Sequence, residues 1–119
     1  MTSISQQRLR FPKTYRNVDS KRFEKVKSMT IRAVVWGENV HEQTNKVVSN
    51  LYPNGMHGAI ADALRADGID ATTATLQEPA HGLPEERLAK TDVLLWWGHA
   101  AHGDVSEEVV ARVADHVNA

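Results

Sequence analysis

The sequence predicts an α/β domain built on a short parallel sheet, and three observations carry that reading. Two short, nearly continuous apolar runs, residues 31–36 (IRAVVW) and 93–97 (VLLWW), have the composition of parallel strands covered on both faces. A third run, residues 69–75 (IDATTAT), is more polar and places Ile69, Ala71 and Thr73 on one side by alternation, which suits an edge strand. Segments of helical spacing lie between and after these runs, so strand and helix alternate from Met29 onward.

Taken in order, Val47, Val48, Leu51 and Tyr52 have helical spacing after the first strand, with Thr44 available as cap and Pro53 as terminator. The turn Pro53, Asn54, Gly55 opens a second helix with Met56, Ile60, Ala63 and Leu64 on one face and Gly68 as its stop. After the second strand, Pro84, Glu85 and Glu86 form the first turn of a short helix carrying Leu88, with acidic residues favoured at the positive helix end. The last helix, capped by Asp104 or Ser106, turns Val109, Val110, Val113 and Val117 inward, and Asp104 with Glu107 is a candidate capping box. No internal repeat or low-complexity tract interrupts this series.

Right-handed crossovers then give a flavodoxin-like three-layer arrangement with strand order 2-1-3. That order places the polar strand outside and the two apolar strands side by side. It also leaves the third strand as an open edge, half bare, although its composition belongs in the middle of a sheet. The expectation is a truncated domain, the front half of a larger α/β unit, with the exposed third strand a candidate for homo-oligomer formation or aggregation.

Composition narrows the function. The 119 residues contain no cysteine, which excludes a disulfide framework, a thiolate zinc site and a cysteine nucleophile within them. No apolar run approaches the roughly 18 residues of a membrane span, and the N-terminus has no apolar signal core, so a cytoplasmic setting is expected, with no membrane partner. The net charge of −1 conceals a split: residues 1–28 carry net +6 and the remainder net −7. A basic arm can bind nucleic acid. The segment lacks apolar periodicity, however, and reads instead as a disordered leader, or as an upstream addition to a protein beginning at Met29, with no nucleic-acid partner expected.

Ligands of open parallel sheets bind at the carboxyl ends of the strands, where the strand order reverses. Gly37, Glu38, Asn39, His41 and Glu42 leave the first strand there, and Gly98, His99, His102 and Asp104 leave the third. Neutral imidazole is the commonest metal ligand, and the His99, His102 spacing lets two rings reach one ion from a single turn. His41, or a carboxylate from Glu38, Glu42 or Asp104, would complete three ligands with a fourth position open to water, as in a catalytic zinc site. The competing reading makes these polar loop residues with no ion. His57 reads as a first-turn helix residue and His81 as part of a turn. Trp96 and Trp97 point to opposite faces, so one belongs to the core and the other is free to line the mouth as a platform for a sugar ring. The HEQTN segment lacks the second histidine of a zincin helix. No phosphate-binding glycine loop or GxSxG elbow is present, so no nucleotide cofactor is expected.

The segments VVWGENVHEQTN, YPNGMHGAIADAL, ATTATLQEPAHGL and TDVLLWWGHAAHGDV together resemble the N-terminal half of ThuA-like trehalose-utilisation proteins, over residues 30–117. The resemblance implies a fold similar to class I glutamine amidotransferases, in a domain about twice this length. It implies a role in trehalose and disaccharide breakdown beside a sugar dehydrogenase that makes keto-sugars. By position, His41, His57, His99 and His102 match the family's pocket histidines, with Glu38 and Trp97 nearby. The superfamily's nucleophile elbow follows a fourth strand that these residues do not contain, so amidotransferase activity is not implied. The resulting expectation is a sugar-binding or sugar-modifying domain. His41, His99 and His102 would hold a divalent metal such as zinc, Glu38 would move a proton, and His57 and Trp97 would contact the sugar. The alternatives are a sugar-sensing module without turnover and a fragment without function.

Overall fold

The computed structural model describes residues 30–119; the leader expected over residues 1–28 lies outside them. Three parallel strands, β1 (Arg32–Gly37), β2 (Asp70–Thr75) and β3 (Val93–Trp97), form one sheet in the order β2-β1-β3. This is the α/β, flavodoxin-like strand order expected from the sequence. The register sets Val35 of β1 beside Thr73 of β2 and Leu95 of β3. After Arg32 every residue of β1 is buried, because β1 is flanked on both edges and covered on both faces.

Alternation along the strands divides the core in two. On one face Val34, Trp36, Ala74 and Leu83 pack with Leu88 of α4 (Glu85–Ala89) and Val109 of α5 (Glu107–Val117), and Leu94 and Trp96 of β3 join them. On the other, Ala33, Val35 and Ala71 receive Ala61 of α3 (Gly55–Ala66), with Leu64 and Leu95 alongside. Two short helices, α1 (His41–Thr44) and α2 (Lys46–Leu51), fill the excursion between β1 and α3. At the amino end of the sheet Arg32 grips Asp92 through its Nε and a terminal nitrogen, 3.2 and 3.1 Å away. That hydrogen-bonded guanidinium holds the Asp92 carboxyl below its ordinary pKa.

Several local expectations are corrected. The cap before Val47 is Asn45, whose side chain accepts from the Val47 and Val48 amides, while Thr44 closes α1 by donating its hydroxyl to the Val40 carbonyl. The inward stripe of α3 is His57, Ala61 and Leu64; Ile60 is 37% exposed and Ala63 is exposed. Of the two candidate caps for α5, Ser106 serves, accepting from the Val109 amide, and Asp104 belongs to a preceding 3-10 turn, so the Asp104/Glu107 box does not form. Val110 and Val117 face out, 51% and 76% exposed. Among the described residues no helix is long and apolar enough to cross a membrane.

Candidate functional site

The carboxyl ends of β1 and β3 converge where the strand order reverses, and the side chains leaving them make three separate arrangements. The first is an anchor. Glu38, the residue after β1, is 2% exposed, and its carboxylate accepts the backbone N–H groups of Ala100 and Ala101, the latter at 3.1 Å. Burial pushes this carboxyl up, but the amides of Ala100, Ala101 and His99 outweigh it and hold the group below its ordinary value. Its backbone carbonyl in turn accepts the Gln77 amide at 2.8 Å. Glu38 therefore ties the loop after β3 to the end of β1, with both carboxylate oxygens engaged.

The second arrangement is an aromatic column. The His99 ring lies parallel to Trp97, with centroids 5.9 Å apart and planes within 10°. On the other side it stacks on His41 at 5.5 Å and 27°. Trp97 remains 42% exposed because it ends an edge strand and points to the face opposite Trp96. The column thus brings three of the residues expected at the site together.

Third, Trp96 turns into the core and stacks on the fully buried Trp36 at 4.1 Å, while its indole N–H donates to His102 Nε2 at 2.8 Å. Gly98 makes room for this pairing, since a Cβ there would collide with the His102 ring. His102 Nε2 is consequently engaged away from the column. His57 is 9% exposed and is closely packed against Gly37 and Gly55. Gly55 has φ +78°, and any side chain there would strike the His57 ring. Within that niche His57 Nδ1 lies 3.7 Å from the buried Glu42 carboxylate and has no hydrogen-bond partner. Glu42 itself accepts the Met56 amide at 3.2 Å.

Among the described residues no three His, Cys, Asp or Glu side chains gather as a metal-binding group. His41 and His99 supply two imidazoles, His102 Nε2 is taken by Trp96, and the Glu38 oxygens are taken by amides. As arranged, these residues do not fit a three-ligand zinc centre, and no step below passes through a metal.

Sequence reasoning missed Gln77, which has no motif to announce it, and the role of His81. His81 Nδ1 lies 2.8 Å from the Leu76 carbonyl, Nε2 accepts the Ser106 amide at 3.0 Å, and its own carbonyl accepts the Trp36 indole N–H at 2.9 Å. Its left-handed φ of +53° was the one hidden constraint that a turn assignment leaves open. No protein family matches the chain, and no curated protein matches it.

Proposed function

We propose that the chain is the N-terminal portion of a ThuA-like domain that binds a sugar or keto-sugar of the disaccharide class, in cytoplasmic carbohydrate breakdown beside a sugar dehydrogenase. The carrying observation is the Trp97, His99, His41 column at the carboxyl end of the sheet. A sugar ring offers C–H groups to an exposed indole face and hydroxyls to imidazole nitrogens, and an open parallel sheet receives ligands at this end. The ordered motifs resembling the family supply the substrate class.

One observation favours binding over turnover within these residues. A general base must have a free lone pair within reach of the proton it takes, and Glu38 has its oxygens on the Ala100 and Ala101 amides. Glu38 is accordingly a positioning residue in this reading: it fixes the loop that carries His99.

The test is a tryptophan-fluorescence and calorimetric titration of the chain with trehalose and with a keto-disaccharide, each with zinc and with chelator. Saturable binding that weakens at least about tenfold in Trp97→Ala is expected, as for loss of a stacking platform of roughly 1.4 kcal/mol or more. Absence of saturation with both sugars, or equal affinity in Trp97→Ala, overturns the reading. The zinc arms separate sugar binding from imidazole–metal binding by His41 and His99.

A further inference from the structure

The two outer edges of the sheet are built differently. Along β2, Arg65 Nε donates to the Ala71 carbonyl at 2.8 Å and Arg87 donates to the Thr73 carbonyl at 2.9 Å and the Thr72 hydroxyl at 2.8 Å. The Glu78 carboxylate accepts the Thr75 amide. Residues 71, 73 and 75 are the alternate positions whose backbone groups face away from β1, so two arginines and a glutamate plug that edge. Among the described residues no side chain does the same for β3. The Asp92 amide bonds to the Arg32 carbonyl, which by alternation directs the amides and carbonyls of Val93, Leu95 and Trp97 outward.

Both faces beside this open edge are apolar. On one, a groove of about 690 Å³ runs between Trp96 and α5, lined by Val105, Val110, Val113 and Val117. On the other, a cavity of about 330 Å³ lies between Trp97, Leu95, Met56 and Ile60. The strand VLLWW has no charge, proline or bulge of the kind that keeps natural edges apart. Asp92, the nearest acid, is already paired with Arg32.

We infer that β3 is a self-association edge whose occupant is β3 of a second copy of this chain, antiparallel about a two-fold axis through Leu95. In that register the outward backbone groups of Val93, Leu95 and Trp97 meet those of Trp97, Leu95 and Val93 of the second copy, so every outward group finds a partner. Side chains match as well: Val93 lies beside Trp97 and Leu94 beside Trp96, small against large on each face. The two-fold axis is normal to the sheet and keeps faces together, which sets the α5 valines of the two copies on the same side of the joint. An isolated peptide strand would complete the ladder but leave Val110 and Val117 bare; a second copy brings a helix for them.

Sedimentation velocity of the 119-residue chain from low to high micromolar concentration tests this. The expected result is a plateau at twice the chain mass. Val110→Lys with Val117→Lys, both at exposed positions, is expected to give a monomer with unchanged far-UV circular dichroism, and an equimolar mixture with Val110→Glu, Val117→Glu is expected to restore the dimer. Hydrogen exchange is expected to protect the Val93, Leu95 and Trp97 amides in the dimer and to release them in the lysine variant. A monomer at every concentration, a dimer indifferent to the lysines, growth past the dimer without a plateau, or rapid exchange of those three amides in the dimer overturns the proposal.

Discussion

His81 illustrates how much one side chain can fix. Its Nε2 accepts a backbone N–H from Ser106, so the ring proton sits on Nδ1, facing the Leu76 carbonyl. The ring thereby joins the segment after β2 to the residue that caps α5, while the backbone at Ala80 and His81 is left-handed, φ +52° and +53°. His81→Ala removes both ring bonds and is expected to cost about 1–2 kcal/mol, read as a lower urea midpoint at unchanged slope. Ala80→Gly relieves left-handed strain and is expected to raise that midpoint by about 0.5–1 kcal/mol. Glu38 gives the pH dependence. Its folded pKa lies below the ordinary 4.5, so the unfolded chain holds the extra proton in the interval between them. The stabilisation is complete above 4.5 and is lost as pH falls through the lower folded value. Glu38→Gln is expected to flatten this part of the acid limb. It is also expected to cost about 1–3 kcal/mol at neutral pH, because the Ala100 and Ala101 amides lose their charged acceptor. Denaturant titrations from neutral to acid pH check both expectations.

At the scale of elements, strand identity was legible because apolar runs without helical period are a direct consequence of burial on two faces, as β1 demonstrates. Helix faces were less so. Counting apolar residues put Met56 and Ile60 of α3 inward, but the helix buries Gly55, His57 and Ala61, small or polar residues that let it approach β1 and β2 closely. Met56 and Ile60 instead border Trp97 and Leu95 beside the open edge. The valines of α5 follow the same logic: Val109 is buried and Val113 packs against the core, while Val110 and Val117 extend over the edge of β3. Periodicity identified an apolar stripe correctly but not what the stripe meets. The cap of α5 is testable by itself. Ser106→Ala is expected to lower stability by about 1 kcal/mol and to speed exchange of the Val109 amide, which its hydroxyl now accepts.

For the molecule as a whole, the place of the site was readable before its internal wiring. Strand order alone directs attention to the carboxyl ends of β1 and β3, and His41, His99 and Trp97 do assemble there. The pairing of His102 with Trp96 and of Glu38 with two loop amides depends on side-chain geometry, which spacing along the chain does not encode. If the column binds a sugar, the folded state gains about 2.7 kcal/mol at a sugar concentration of about a hundred times Kd. A thermal melt is then expected to rise with trehalose or a keto-disaccharide in the wild-type chain and to stay fixed in Trp97→Ala.

The central position of β1 also dictates an order of events in time. Although β1 comes first among the described strands, its neighbours come later, with Arg32 aligned to Asp70 and Ala33 to Val93. Each pairing must close a long loop before any ladder bond rewards it, and the β1–β3 loop is the longer of the two. On a nascent chain β1, α3 and β2 are available to meet first, whereas the Arg32–Asp92 clasp and the loop anchored by Glu38 must wait for β3 and the residues after it to emerge. The binding end of the sheet is therefore assembled last, after the half of the core beneath α3 already has its partners.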